Sequence, residues 1–229
     1  MDYKKLSIIV PVYNEERTIV ELLRHVKEAV VPLQKEIIVV DNNSTDQTGV
    51  FATSVGGVRV IHEERQGKGA ALRRGIREAT GDIVLFQDGD LEYDPNDYAA
   101  MVAPILAGET EVVLSVRRTP RHQHWYIRYF GFVGNSLITL WTNWLYWNNA
   151  GEYEGCYKAF SKRLIDTIPL RQNGFELDNE LVCKILKRGY KTVDVSISYR
   201  PRDYAEGKKI GALDFFKIMW VTFKYRFKD

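Results

Sequence analysis

Three polar clusters carry the residue types from which a metal-assisted group transfer can be built. Asp88-Gly89-Asp90-Leu91-Glu92 sets a carboxylate on either side of a glycine and a further acid two residues on. Side chains in that spacing can turn several oxygens toward one hard cation, and Mg²⁺ or Mn²⁺ held this way keeps positions open for phosphate oxygens. An isolated Asp-x-Asp is more often a solvated turn, because Asp and Gly are ordinary turn residues. Its neighbours decide between the two. Asp41 closes an apolar run and can accept a hydrogen bond from an N–H of a nucleobase, while Asn43 and Ser44 are N-cap candidates for the next helix. Gly67-Lys68-Gly69 opens another helix, where backbone N–H groups can meet phosphate. It completes neither a Walker A nor a dinucleotide glycine pattern, and a tight turn is the simpler reading. His25, His62, His122 and His124 form no metal-ligand pattern.

The elements that must position these clusters alternate in the first half of the chain. Apolar runs at Leu6–Val10, Glu36–Val40, Val58–Ile61, Ile83–Gln87 and Glu111–Val116 read as strands. Helical spacing falls between them at Glu15–Val30, Thr45–Thr53, Gly69–Ala79 and Asn96–Ala107, with Leu22, Leu23, Val26 and Val30 as one apolar face. Strand–helix alternation with near-continuous apolar strands predicts a mostly parallel α/β sheet covered by helices on both faces. Ligands of such sheets sit beyond the carboxyl ends of the strands. Pro11-Val12-Tyr13-Asn14-Glu15, the Asp41 cluster and the Asp88 cluster each follow a strand, so they are expected to meet on that edge.

The second half has a different character. From Val112 to Gly151 there is no Asp or Glu, yet the segment holds Arg117, Arg118, Arg121, Arg128 and four of the five tryptophans. A short strand at Cys156–Phe160, a helix at Leu177–Lys187 and a strand at Lys191–Ser198 follow. The chain ends in a basic, aromatic stretch, Lys208–Lys228.

With 229 residues, 45% apolar and 27% charged, the chain is sized for one domain and excludes intrinsic disorder and collagen-like structure. A net charge of +2 does not announce a nucleic-acid binder. Cys156 and Cys183 are too few for a disulfide framework and read as buried, reduced side chains. Leu6–Val10 is too short for a signal-peptide core, and polar residues interrupt Phe130–Trp147, so no transmembrane segment is expected. The Asn-x-Ser/Thr matches at Asn42 and Asn43 fall in the expected site loop and read as chance.

Together these stretches resemble a known family. Val10-Pro11-Val12-Tyr13-Asn14-Glu15, Val39 to Asp46, Gly67-Lys68-Gly69-Ala70, Gly81-Asp82-Ile83-Val84 and Asp88-Gly89-Asp90-Leu91 look like family 2 glycosyltransferases of the GT-A, Rossmann-like fold. Cys156-Tyr157-Lys158-Ala159-Phe160, Phe175 to Glu180 and Arg200 to Lys208 narrow it to the dolichol-phosphate mannosyltransferase and polyprenyl-phosphate glycosyltransferase branch. The resemblance covers nearly the whole chain. It implies a single domain over 1–229, with a nucleotide-sugar half at 1–116 and an acceptor- and membrane-facing half at 117–229. Unlike some members, the chain is expected to append no transmembrane helices.

The resemblance also implies residue roles. Pro11, Tyr13, Glu15, Val40 and Asp41 would line the nucleotide pocket, with Asp41 on the base. Asp88, Gly89 and Asp90, with Glu92, would form the DXD metal site for Mg²⁺ or Mn²⁺ on the diphosphate. Arg117, Arg202 and Lys208 would reach donor phosphates, and Arg128 an acceptor phosphate. Asp90, Arg128, Arg202 and Lys208 are thus the expected catalytic residues. Related sequences often carry Asp where this chain has Glu152, which leaves open the roles of Glu152 and Glu154; Glu152 and Asp178 are kept as acceptor-side candidates.

The implied reaction is inverting transfer of a sugar from a UDP- or GDP-linked donor to a polyprenyl phosphate. An acceptor that is already anionic needs positioning more than a general base, whereas an alcohol would need a carboxylate such as Asp178, Glu180 or Glu152. The Trp/Arg segment and the terminal helix near Phe215–Phe227 suit a membrane interface, although the same aromatics would also serve a core or an oligomer interface. The expected location is peripheral, on the cytoplasmic face of a membrane, with a transmembrane partner subunit as a further option and no nucleic acid as partner. A soluble or polysaccharide acceptor is the alternative. A non-catalytic binding module is disfavoured by the intact Asp88/Asp90 and Arg202/Lys208 pairs, and a nucleotidyltransferase by the absent glycine-rich start after the first strand.

Overall fold

β-branched runs build a central sheet of seven strands in this computed structural model, which describes residues 2–118, 125–200 and 212–228, with side chains except at 118, 125–132 and 212–214. The strands are β1 (Lys5–Val12), β2 (Gln34–Asp41), β3 (Arg59–His62), β4 (Ile83–Phe86), β5 (Val112–Arg118), β6 (Lys158–Ser161) and β7 (Thr192–Ser198). Their spatial order is β3-β2-β1-β4-β6-β5-β7. All neighbouring pairs are parallel except those of β6, which runs antiparallel to both β4 and β5. The expected parallel sheet is therefore mixed at one strand. That reversal brings the first residue of β6, Lys158, beside the end of β4 and across from Leu114 of β5.

The helices are α1 (Ile19–Glu28), α2 (Thr48–Ser54), α3 (Lys68–Glu78), α4 (Tyr98–Leu106), α5 (Trp125–Tyr146), α6 (Lys162–Ile165), α7 (Leu177–Lys187) and α8 (Ala212–Phe227). Successive strand residues point to opposite faces. Accordingly Ile8 and Val10 of β1 pack with Leu22 and Leu23 of α1 and Met101 and Val102 of α4. Ile9 joins Ala71 and Leu72 of α3, Leu181 and Ile185 of α7, and Tyr225 of α8 on the other face. Each fully buried Leu or Ile contributes about 1.5–3 kcal/mol relative to exposure.

Two boundaries depart from the sequence reading. α1 stops at Glu28, and Val30, expected on its apolar face, is 83% exposed. Pro32 restricts Val31 to extended backbone, and the chain has already left the helix at Ala29, ψ 130°. α2 begins at Thr48 rather than Thr45, with Gln47 and not Asn43 or Ser44 at its N-cap. Asn43 is held at φ 62°, a left-handed turn position that Asn tolerates and a helix start does not use.

Candidate active site

The Asp88-Gly89-Asp90 loop is anchored from below by a buried glutamine. Gln87 accepts hydrogen bonds from the hydroxyls of Tyr98 (2.5 Å) and Tyr157 (2.6 Å) and donates its amide to the Asp88 carbonyl (2.9 Å). The loop then lies directly on the end of β1. A Cβ on Gly89 would sit 2.8 Å from Val12 Cγ1 and 3.1 Å from the Pro11 carbonyl oxygen, so no larger residue lets the loop approach this closely. The Thr18 hydroxyl donates to the Gly89 carbonyl at 3.3 Å. Asp90 is buried, and its Oδ1 accepts the Glu92 backbone N–H at 3.1 Å. Glu92 in turn accepts the Tyr199 hydroxyl at 3.0 Å, which ties the loop to the end of β7.

Asp88 lies in a compact charge network. Lys68, at the start of α3, places its Nζ 2.6 Å from Asp88 Oδ1 and 3.6 Å from Asp178 Oδ2. The Lys158 ammonium reaches Asp178 Oδ1 at 3.5 Å from the other side. Burial opposes ionisation of both Lys68 and Asp88. Their mutual attraction outweighs it, holding the lysine well above its ordinary value and the carboxyl below its own. Burial pushes the neighbouring Cys156 thiol well up, so it stays protonated. The glycines beside Lys68 serve packing: Gly67, at φ 122°, has no room for a Cβ beside the Asn173 carbonyl, and Gly69 has none beside that of Gly174. Gly67 is the N-cap of α3 and Lys68-Gly69 begin the helix, with residues 173–174 pressed against them.

Arg117 and Glu152 form the second pair. The Glu152 carboxylate accepts the Arg117 backbone N–H at 2.9 Å and Nε–H at 2.7 Å, with Nη2 on the same carboxylate. The Arg117 guanidinium lies 4.9 Å from the Tyr199 ring centroid. Desolvation disfavours its charge, but Tyr93 and Glu152 more than restore it, and its pKa rises above the usual value. Glu152 thus positions Arg117 at the end of β5.

The other carboxylates are engaged too. Glu180 is fully buried, paired with Lys184 at 2.7 Å, and accepts the backbone N–H groups of Arg171 and Gln172. It organises the loop before α7, which corrects its place among candidate bases. Glu154 accepts the Asn179 amide at 2.8 Å, and burial raises its carboxyl above the ordinary value.

On the nucleotide side, β1 and β2 end side by side, with Val12 paired to Asp41. Asp41 Oδ1 accepts the Ser44 N–H at 3.1 Å, and its Oδ2 lies 3.9 Å from His62 Nδ1. Ser44 does not cap a helix; its hydroxyl accepts the Asn14 N–H at 3.1 Å, and the Asn14 side chain accepts the Thr45 N–H at 2.8 Å. These bonds join the loops after β1 and β2. Pro11 and Val40 are buried beneath them, Tyr13 is 36% exposed, and the Glu15 N–H donates to the Thr48 hydroxyl at 2.8 Å. Asn42, 4% exposed, donates to the Arg65 carbonyl at 2.6 Å and accepts the Gly67 N–H at 2.6 Å. It latches the loop before α3 and lies too deep for glycosylation.

Arg128 falls within α5, its side chain outside the described ones, and Arg202, Lys208, His122 and His124 lie outside the described residues. The aromatics of α5 and α8 split in two. Trp141 is half-buried, donating its indole N–H to the Met219 carbonyl at 3.4 Å. Trp144 (67%), Trp147 (90%), Phe216, Trp220 (64%) and Phe227 are exposed. Among the described residues no helix is long and apolar enough to cross a membrane.

Among the described residues no three His, Cys, Asp or Glu side chains gather closely enough to cage a metal unaided. That fits Mg²⁺ or Mn²⁺, which commonly take one or two carboxylates from the protein and the rest from substrate phosphates and water. Asp90 and its neighbours Asp88 and Glu92 offer such hard oxygens in one loop.

The nucleotide loops, Asp88, Asp90 and Arg117 therefore do converge at the carboxyl ends of the strands. The sequence reading missed Gln87, Asn42, Tyr93 and Tyr199 and the ion-pairing of Lys68. Asn42 and Lys68 lay within the polar clusters already flagged, and Gln87 at the end of a strand run, while Tyr93 and Tyr199 lay in neither.

Known proteins share this architecture. The chain is 25% identical over 222 residues to an undecaprenyl-phosphate 4-deoxy-4-formamido-L-arabinose transferase of Proteus mirabilis, covering 89% of this chain and 62% of the relative. An uncharacterised glycosyltransferase of Mycobacterium tuberculosis is 28% identical over 223 residues, 93% of this chain and 97% of the relative. The chain spans about three fifths of the length of the undecaprenyl-phosphate relatives it matches. Among solved structures, glucosyl-3-phosphoglycerate synthase of M. tuberculosis in complex with Mn²⁺, UDP-glucose and phosphoglyceric acid superposes with a TM-score of 0.76 at 25% identity, over 99% of this chain and 81% of that one. Residues 7–167 match Glycosyl transferase family 2. With that match over the sheet that carries the site, the chain belongs to glycosyl transferase family 2 and is a glycosyltransferase of the GT-A α/β fold.

Proposed function

We propose that this glycosyltransferase moves a sugar, with inversion, from a UDP- or GDP-linked donor to a polyprenyl phosphate at the cytoplasmic face of a membrane. The observation that carries the reading is the aromatic surface of α5 and α8. Trp144 on α5 and Trp147 just past its end stand exposed within a stretch, Val112 to Gly151, that has no Asp or Glu, and Trp220 and Phe227 stand exposed on α8. Such rings settle at headgroup depth, and the basic residues Lys224 and Arg226 favour anionic lipid. β5 carries Arg117 near its end, and past the end of α5 the chain reaches Glu152, paired with that arginine, so this surface adjoins the wall of the site.

The acceptor phosphate oxygen attacks the anomeric carbon while the bond to the nucleoside diphosphate breaks, and no proton has to be removed. The occupied carboxylates agree with this: Asp178, Glu180 and Glu152 are each held by a cation. Arg128 holds the acceptor phosphate, and Arg117, Arg202 and Lys208 face the donor phosphates. Asp41 takes the base, above Pro11, Tyr13, Glu15 and Val40. Asp88 and Asp90 would hold Mg²⁺ or Mn²⁺, with Glu92 tied beside them to Tyr199, and the ion when bound would neutralise charge building on the departing diphosphate. A transmembrane partner subunit would dock on the same aromatic surface.

A soluble acceptor is the second reading, favoured by the phosphoglyceric acid in the solved relative. A hydroxyl acceptor needs a base, and Glu154, raised by burial, is the carboxyl whose pKa moves toward that role. Exchanging Trp144, Trp147 and Trp220 for Ser tests the lipid reading while leaving the half-buried Trp141 in place. The folded variant should lose co-sedimentation with anionic vesicles; unchanged co-sedimentation favours the soluble acceptor.

A further inference from the structure

A divalent cation that takes Asp88 Oδ1 competes for it with Lys68. The ammonium sits 2.6 Å from Asp88 Oδ1, the separation of a strong charge-assisted hydrogen bond. Its backbone cannot give way: a Cβ on Gly67 would lie 2.1 Å from the Asn173 carbonyl oxygen and one on Gly69 2.7 Å from that of Gly174, so the start of α3 is wedged in place. Only the side-chain torsions of Lys68 can move the ammonium, and a second carboxylate is within their reach. Asp178 Oδ2 is 3.6 Å from the same Nζ, and Asp178 Oδ1 is buried without a hydrogen-bond partner, faced by Lys158 at 3.5 Å. Asp178 therefore has acceptor capacity to take an ammonium that leaves Asp88.

The charge balance sets when that happens. Lys68 and Lys158 are matched by Asp88 and Asp178. A divalent cation arriving alone would meet the Lys68 ammonium beside the Asp88 oxygen it has to take, and like charges that close repel. Arriving with a diphosphate, it brings its own counter-charge.

We propose that Lys68 is an internal counter-ion that occupies the metal's place on Asp88 and swings to Asp178 when the cation enters with the donor diphosphate. Metal binding is thereby made conditional on nucleotide. This inference rests on Asp88 being a metal ligand. Lys68 is a positioning residue, since it acts through the carboxylates.

The test is Mn²⁺ binding by the full chain, followed by the electron paramagnetic resonance of free Mn²⁺, with and without UDP or GDP. Wild type should bind Mn²⁺ weakly alone and more tightly with one of the nucleotides. Lys68→Met should tighten nucleotide-free binding about tenfold or more, the equivalent of one charge-assisted hydrogen bond, and Lys68→Arg should restore wild-type behaviour. Asp178→Asn removes the second station and should weaken nucleotide-supported binding, an effect absent when Lys68→Met is added. A folded Lys68→Met that binds Mn²⁺ alone no tighter than wild type, while wild type still binds it with nucleotide, overturns the counter-ion role and spares the metal assignment. No Mn²⁺ binding by wild type with either nucleotide overturns both. Should Lys68→Met fail to fold, an Asp178→Asn variant with unaltered Mn²⁺ binding overturns the proposal by itself.

Discussion

Truncating Glu152 to Ala should be among the most damaging single changes at the site, although Glu152 belongs to no recognisable motif. Its carboxylate takes the Arg117 backbone N–H at 2.9 Å, the Nε–H at 2.7 Å and Nη2 besides. The two side chains are only 14% and 11% exposed, so the guanidinium left behind would be nearly buried with no matching charge. Breaking a buried pair in this way costs about 3–5 kcal/mol. The Tyr199 ring still faces Arg117 at 4.9 Å, which places the expected loss at the lower end. About 3 kcal/mol corresponds to a melting point lower by about 6–12 °C in a chain of this size. Glu152→Asp, one methylene shorter, should fall between Ala and wild type. Replacing both partners by Met removes the stranded charge as well as the pair, so Arg117→Met/Glu152→Met should be more stable than the sum of the single losses allows. Thermal unfolding by circular dichroism on wild type, Glu152→Ala, Glu152→Asp, the single variants Arg117→Met and Glu152→Met, and the double variant measures this. A Glu152→Ala melting point within about 1 °C of wild type, or strict additivity in the double variant, refutes the reasoning.

Asp90→Ala should abolish turnover while leaving the fold intact, because the loop keeps its Gln87 and Gly89 anchors; wild-type rates in Mn²⁺ buffer would remove Asp90 from the metal site. At the opposite edge of the sheet, burial would raise the Glu36 carboxyl, but hydrogen bonds from Ser7 and Thr80 and the Lys5 side chain outweigh it and hold it below 4.5. A carboxyl depressed on folding contributes stability above its unfolded value and loses it as the pH falls through the folded one. Wild type should therefore lose melting temperature below about pH 4.5 more steeply than Glu36→Gln does; parallel pH profiles would contradict this.

The strands were legible because buried parallel strands are nearly continuous apolar runs, as in Leu6–Val10 and Ile83–Phe86. α7 was expected over Leu177–Lys187 and is found there. Its apolar spacing is undisturbed by left-handed or pre-proline residues of the kind that shift α1 and α2. Asp41, Asp88 and Asp90 were legible from their place after strands. The pairing of Lys68 with Asp88 and of Arg117 with Glu152 was not, since each joins residues that only the folded sheet brings together. Helical spacing marks an apolar face without saying what covers it, which is why Trp141 and Trp144, three residues apart and stacked on each other at 5.4 Å, end half-buried and exposed respectively.

The central claim is transfer of a sugar onto a lipid phosphate. The measurement that tests it most directly supplies purified protein with Mn²⁺ and radiolabelled UDP- and GDP-sugars, and offers undecaprenyl or dolichyl phosphate in anionic vesicles beside phosphoglyceric acid in solution. The account predicts label in an organic-extractable, mild-acid-labile lipid product, dependent on the vesicles. Label passing only to the soluble acceptor, equally well without lipid, would contradict it.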